Sequence, residues 1–231
     1  MSSAGALPRP IPGAPARTIV VGISGASGAA YALRTLEMLL GLGHTVHLVV
    51  SDYGRRLLFD EAGVTHLDFP SLVPRLGDAT IADRLFIHPN KDVGAVIASG
   101  SHRHDGMVVV PCSSTSLGAI ATGSGSNLLT RAAMVSLKER RPLLLLHRET
   151  PLSLVDIENM RTLTLAGAII CPTNPGFYLR PTSVDDLVDF MVARVLDLLK
   201  VEHRMGARWG EGAAGGDGTR EPGRRISSSV P

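Results

Sequence analysis

The chain has 231 residues, 44% of them hydrophobic and 19% charged, with a formal net charge of only +2. That length supports one domain with a real core and is short for two, and the near balance of charge excludes bulk electrostatic capture of nucleic acid or an anionic membrane. No apolar run is long enough to span a bilayer, and two cysteines, Cys112 and Cys171, make no disulfide framework, so a cytoplasmic, reducing setting is expected.

Residues 1–17 are rich in Pro, Ala and Gly, lack the apolar stretch of a secretory signal, and read as a disordered N-terminal tail. A transit peptide there would have its amphipathic helix broken by four prolines. From Thr18 to about residue 210, strand-like apolar runs alternate with helical patterns. This predicts an α/β fold: a single-domain, doubly wound, mostly parallel sheet with helices on both faces, Rossmann- or flavodoxin-like. The first strand is expected over Thr18–Ile23, followed by "SGASG" and a helix from Ala29 to Leu42 that buries Tyr31, Leu36, Leu39 and Leu40 and stops at Gly43.

A second strand, "TVHLVVS", leads into a helix from Asp52 to Glu61. Residues 64–90, punctuated by Pro70, Pro74 and Pro89, are expected as an irregular excursion, followed by a short helix near 92–98 and the loop "SHRHDG". The third strand is "GMVVVPCSS"; two helical pieces split by "GSGS" follow, then a fourth strand, "PLLLLH". Pro151 is expected to open the next helix, to about Leu165, before a fifth strand, "AIICP". The last helix starts at Ser183, where "SVDD" is a capping-box variant, and ends near Leu199. Residues 211–231 read as a disordered C-terminal tail, and Trp209 as a packing anchor for the chain's end or a neighbouring subunit.

In doubly wound sheets, ligands bind outside the C-terminal ends of the strands. Those ends here read Ser24–Gly28, Ser51, Pro111–Ser116, Arg148–Glu149 and Pro172–Tyr178, which together look like one site assembled from five loops. The glycine-rich turn offers either free N–H groups and a helix dipole for a phosphate, or a tight turn for helix–strand packing. Its G-x-x-G-x-x-G spacing misses the dinucleotide fingerprint, and the Lys-Ser/Thr of a P-loop is absent, although Asp52 after the second strand leaves a ribose contact open.

Arg131 and Lys138 lie seven residues apart and share a helix face, and Leu187, Met191, Arg194 and Leu198 form a stripe with Arg194 in an apolar face. A buried arginine needs an anionic partner: either a salt bridge, or a second phosphate on which Arg131, Lys138 and Arg194 converge. His102 and His104 have a possible metal spacing within what also reads as a polar loop. His147 ends a strand where a ligand contact is conceivable, and neither cysteine is given a nucleophilic role.

Taken together, "GISGASGAAYALR", "VHLVVS", "PCSSTSLGAIATG", "NLLTRAAMVSLKERRPL", "RETPLSLVDIENM", "GAIICPTNPGFYLRP" and "VDDLVDFMVARVLD" closely resemble the flavin prenyltransferases of the UbiX family, over Thr18 to Trp209. The resemblance implies a metal-independent transfer of a dimethylallyl group from dimethylallyl phosphate to N5 and C6 of reduced FMN, giving prenylated FMN for UbiD-type decarboxylases. It implies FMN contacts from Gly25, Ala26, Ser27, Ser51, Ser113, Ser114, Thr115, Ser116 and Arg148, and dimethylallyl phosphate contacts from Tyr178 and Arg194, with Arg131 and Lys138 near the same phosphate. Glu61 and Glu149 match the acidic residues beside the reacting groups, with Glu149 the first choice for moving protons. A homo-oligomer, often a dodecamer in this family, is implied as well. The related cysteine decarboxylases carry "PASANT"-like and "PxMNxxMW"-like motifs where this chain has "PCSSTS" and "RETPLSLVDIENM". A flavin carrier would have no use for Arg131, Lys138 and Arg194 together, and the glycine spacing disfavours a nicotinamide oxidoreductase.

Overall fold

Strand alternation sorts the core into two layers. In the computed structural model, which describes residues 7–77, 79–178 and 180–205, β1 (Thr18–Ile23) sends Ile19, Val21 and Ile23 to one face of the sheet and Val20 to the other. Six parallel strands run in the order β3-β2-β1-β4-β5-β6, where β2 is Thr45–Val50, β3 Leu85–His88, β4 Gly106–Cys112, β5 Leu143–His147 and β6 Ile169–Ile170. The central strands are buried on both sides, as parallel sheets require.

Helices α1 (Ala29–Gly41), α2 (Asp52–Ala62) and α8 (Val184–Leu198) cover the face of Ile19, Val21 and Ile23. The one-turn helices α3 (Phe69–Leu72) and α4 (Ala79–Ala82) lie in the excursion after α2. Helices α5 (Ser114–Ala121), α6 (Leu128–Lys138) and α7 (Leu154–Leu165) cover the opposite face. The chain winds outward from β1 in one direction and from β4 in the other, so the loops after β1 and β4 flank the crevice where such folds hold ligands. Among the described residues no helix is long and apolar enough to cross a membrane.

Several boundaries differ from expectation. The excursion at 64–90 contains β3, a four-residue edge strand paired with β2, too short to show a period between its proline-rich flanks. The helix expected near 92–98 is a 3-10 turn at Val96–Ala98. Pro151 stands outside α7, which starts at Leu154 under a capping box of Ser153 and Asp156. The strand expected at "AIICP" contracts to two residues. The Ser183–Asp186 capping box of α8 is present as read. Of the expected N-terminal tail, residues 7–17 lie on the domain: Ile11 packs against the core, and Pro8 sits so near Gly41 that a Cβ there would approach it to 2.3 Å. The expected tail at 211–231 and Trp209 lie outside the described residues.

Candidate functional site at the C-terminal rim of the sheet

Backbone and serine hydrogen bonds join the loops after β1 and β4. The Ser24 hydroxyl donates to the Pro111 carbonyl (3.0 Å) and accepts from the Ser113 N–H (2.8 Å), locking the two loops side by side. The Ser51 N–H bonds the Ile23 carbonyl (2.9 Å), and the Arg148 N–H bonds the Cys112 carbonyl (3.2 Å), bringing the ends of β2 and β5 into the same rim. Gly54 allows α2 to sit directly on β1, since a Cβ there would lie 2.5 Å from the Ile23 carbonyl oxygen. A Cβ on Gly25 would meet the Tyr53 Cβ at 2.3 Å, so the turn and α2 share one tight contact.

Within this rim lie Gly25, Ala26, Ser27, Ser51, Ser113, Ser114, Thr115, Ser116 and Arg148. Ser51 caps α2 through Gly54 N–H (3.0 Å), and Ser113 caps α5 through Ser116 N–H (3.3 Å). Thus two helix N-termini, each with a positive dipole end, face the crevice. A third, that of α1, is taken internally: Glu61 accepts from the Gly28 N–H (3.0 Å) and Ala29 N–H (2.9 Å). Partial burial would raise the Glu61 carboxyl, but the Ala29 N–H, the Ser27 hydroxyl, the Gly28 N–H and the nearby Arg148 guanidinium outweigh it and hold it below its ordinary range. Of the two roles open to the glycine-rich turn, tight packing is therefore visible directly, and the anion at the start of α1 is Glu61.

Arg148 is half-buried, and its Nε is a buried donor with no hydrogen-bond partner among the described residues. Glu149 is exposed beside it and accepts from the Thr150 N–H (3.0 Å). The N-terminus of α5 and the Arg148 donor form an anion-seeking set. This donor set fits a flavin nucleotide.

The other expected residues are spread over α6, α8 and the loop after β6. Arg131 is exposed in the first turn of α6. Lys138 ends that helix beside Gly100, ahead of β4, and pairs with Glu139 at 2.6 Å. Helices of a parallel α/β sheet run back against the strands, so Lys138 lies at the opposite rim from Ser113. Arg194 is on α8, across the sheet from α6. Its expected burial is corrected: the side chain is 52% exposed and pairs with Asp197 (3.4 Å), because the buried stripe of α8 runs through Val188, Met191, Val192 and Val195. Tyr178 is exposed and stacks edge-on against Phe190.

His102 and His104 join His47 and His88 at the β2–β3 edge, and among the described residues no group of three or more His, Cys, Asp or Glu is arranged to hold a metal. His147 is buried beneath the rim and turned inward. Sequence reading passed over Asp156, the buried acid under the α5 start, although Ser153 three residues earlier marks it as a capping-box residue. Burial pushes the Cys112 thiol up to about 12, consistent with an inert core residue.

A doubly wound sheet with its polar loops gathered at the strand-order reversal is the architecture of a nucleotide-binding protein, and the model of the Flavoprotein family matches residues 13–196. The chain is 42% identical over 194 residues to the flavin prenyltransferase UbiX of Halalkalibacterium halodurans, a match covering 83% of this chain and 92% of the relative. By structure it is similar to AnUbiX (PadA1), solved in complex with FMN and dimethylallyl pyrophosphate, with a TM-score of 0.71, 39% identity and coverage of 84% of this chain and 100% of that one. It is also similar to the dodecameric FMN-dependent UbiX-like decarboxylase of Escherichia coli O157:H7, with a TM-score of 0.74, 39% identity and coverage of 83% and 98%. The chain belongs to the UbiX family of flavin prenyltransferases.

Proposed function

We propose that the rim holds FMN and that the protein transfers a dimethylallyl group from dimethylallyl phosphate to it. The observation that carries the reading is the pairing of the Ser113-capped N-terminus of α5 with an unsatisfied, half-buried Arg148 at the point where strand order reverses. Gly25, Ala26, Ser27, Ser51, Ser113, Ser114, Thr115, Ser116 and Arg148 would bind the flavin. When bound in its reduced form, FMN supplies the nucleophile, and the product carries the C5 unit at N5 and C6 for use by a UbiD-type decarboxylase.

The chain's own work is to stabilise the leaving phosphate and move protons. Negative charge develops on the phosphate as the allylic C–O bond breaks, and fixed cations aimed at it lower the barrier. Arg131, Lys138, Arg194 and the Tyr178 hydroxyl are assigned that task. Since α6 and α8 lie on opposite faces of one sheet, more than one copy of the chain has to contribute them. Exposed Leu154, Val155 and Leu165 give α7 an apolar outer surface suited to such a homo-oligomer. Glu149, exposed and next to Arg148, takes and returns protons at the flavin, whereas Glu61, held ionised by α1, orients. Both cysteines are free, consistent with a reducing, cytoplasmic setting.

Anaerobic incubation with reduced FMN, dimethylallyl monophosphate and a metal chelator, followed by mass spectrometry of the extracted flavin, tests the reading. A gain of one C5 unit is expected. Unchanged FMN from protein that binds it would instead indicate a carrier. Glu149→Gln is expected to retain FMN affinity while slowing product formation, and normal turnover in that variant would remove Glu149 from its role.

A further inference from the structure

The end of β5 carries a buried polar group that this reaction scheme leaves unused. His147 is 2% exposed, and its Nδ1 lies 3.0 Å from the Cys112 carbonyl oxygen. A carbonyl only accepts, so Nδ1 carries a hydrogen, and Nε2 on the other edge of the ring can attract a carboxylate only as an N–H. Nε2 is buried without a hydrogen-bond partner among the described residues and lies 4.0 Å from Asp156 Oδ1.

Asp156 is 6% exposed and occupies the third position of α7. Its Oδ2 is fully engaged, accepting from the Ser153 N–H (3.0 Å) and Ser153 hydroxyl (2.6 Å), so Oδ1 is the oxygen left to face His147. The same carboxyl is held down at about 2, first by the Ser114 hydroxyl, then by the Ser153 hydroxyl and N–H, against the opposing effect of burial, with nearby His147 adding a smaller push. Ser114 is the first residue of α5; its hydroxyl is buried beside Asp156 without an aligned hydrogen bond. Three elements therefore meet at one carboxylate, two of which deliver rim residues: α7, which carries it; β5, which ends one residue before Arg148; and α5, which starts in the Ser113–Ser116 loop.

We propose that His147 is a positioning residue of the flavin site: as an imidazolium, with Nδ1–H on the Cys112 carbonyl, it turns its Nε2–H toward Asp156 and holds that carboxylate by charge, Asp156 directs the Ser114 hydroxyl, and Ser114 is thereby set for FMN. This rests on the reading that residues 113–116 hold FMN. A merely structural histidine would act through its Nδ1 bond to Cys112 and leave ligand affinity alone. The two edges of the ring are separable, because asparagine places an amide near Nδ1 and glutamine near Nε2.

The test is FMN titration by fluorescence quenching on the full chain, with thermal unfolding measured in parallel. His147→Asn is expected to fold and bind FMN about tenfold more weakly, as loss of one fixed hydrogen-bonding group implies. His147→Gln should stay within about threefold of the parent. Ser114→Ala should cost about tenfold, and combining it with His147→Asn should cost no more, since both act through one hydroxyl. Asp156→Asn, which keeps an oxygen for Ser153, should match His147→Asn and serves if that variant does not fold. Parent-like affinity in His147→Asn, or in Asp156→Asn, or losses that multiply in the double variant, would overturn the assignment. Failure of the parent chain to bind FMN would overturn the flavin reading itself, and is told apart because it precedes any substitution.

Discussion

At the C-terminal rim the carboxyls of Glu61 and Asp156 are held below their ordinary range, whereas at the β2–β3 edge four histidines are packed together and burial pushes His47, His88 and His104 toward the neutral form. The rim supplies Glu61 with two N–H groups at the start of α1 and supplies Asp156 with Ser114 and Ser153, so both carboxyls sit below their ordinary values despite partial or full burial. At the edge Asp92 opposes the effect of burial on His88, and Asp105 and the Gly106 carbonyl oppose it on His104, without offsetting it. His47 bonds His88 through Nδ1 and Nε2 at 2.9 Å, stacks on Phe86 at 5.0 Å and meets the edge of His102 at 4.9 Å between ring centroids. Burial, then the mutual repulsion of His102, His88 and His104, pushes His47 down to about 4. Burial and the nearby Arg141 do the same to His104. Desolvation wins at the edge, where like-charged neighbours add to it and the nearby carboxylates do not offset it, and loses where helix N-termini and hydroxyls point at the group.

The rim's dependence on close backbone contact gives the largest expected effect. Gly54→Ala drives a Cβ to within 2.5 Å of a backbone carbonyl that cannot rotate away. A cost of about 3 kcal/mol or more is expected in urea unfolding, together with loss of FMN binding, because α2 and the Ser51 cap must shift as a unit. An alanine variant with parent stability and affinity would show that the rim is not rigid, and would weaken its contrast with the histidine edge.

Acid separates the two regions by window. In the unfolded chain a histidine titrates near its ordinary value of about 6.5, while folded His47 and His104 hold off until about 4. Between these values the unfolded state binds more protons, so stability is whole above about pH 6.5 and falls as pH drops toward 4, by about 1.4 kcal/mol per unit for each histidine. Asp156 contributes below that: its share is whole above the ordinary aspartate value of 3.8 and is lost as pH falls toward about 2. Urea midpoints measured from pH 7.5 to 2.5 are expected to fall in two stages. His47→Leu should shrink the upper stage alone and Asp156→Asn the lower one alone. A flat profile from 6.5 to 4 would mean the histidines are free to charge in the fold.

The same contrast explains what was readable in sequence. Strands β1, β2, β4 and β5 announce themselves as apolar runs, and the Ser183 and Gly43 signals bracket their helices correctly, because these features are local. The rim was readable as a set of strand ends for the same reason. The histidine edge was not: His102 and His104 lie two residues apart in sequence, but His47 and His88 reach them only through the pairing of β2 with the short β3. Arg194 failed for a finer reason. A stripe through Leu187, Met191, Arg194 and Leu198 and one through Val188, Met191, Val192 and Val195 differ by about one helical position, and only packing against β-strands chooses between them. Likewise, Arg131 and Lys138 do share a helix, but a helix face says nothing of which end of the sheet each residue reaches.

That last point yields the smallest effect on stability and a decisive one on activity. Lys138 is 62% exposed and pairs with its chain neighbour Glu139, an arrangement worth less than about 1 kcal/mol, so Lys138→Ala should leave the urea midpoint nearly unchanged. Yet if Lys138 serves the leaving phosphate, it does so from the rim opposite its own Ser113 and therefore in another copy's site. Glu149, by contrast, lies at its own rim. Lys138→Ala and Glu149→Gln should each be slow alone. Unfolded together and refolded as mixed oligomers, they should regain a fraction of parent turnover, because some sites then receive an intact Lys138 from one chain and an intact Glu149 from the other. Two slow variants that stay slow when mixed would place both residues in the same protomer's site, and would require α6 to approach the rim in a way that the antiparallel run of helix against strand does not allow.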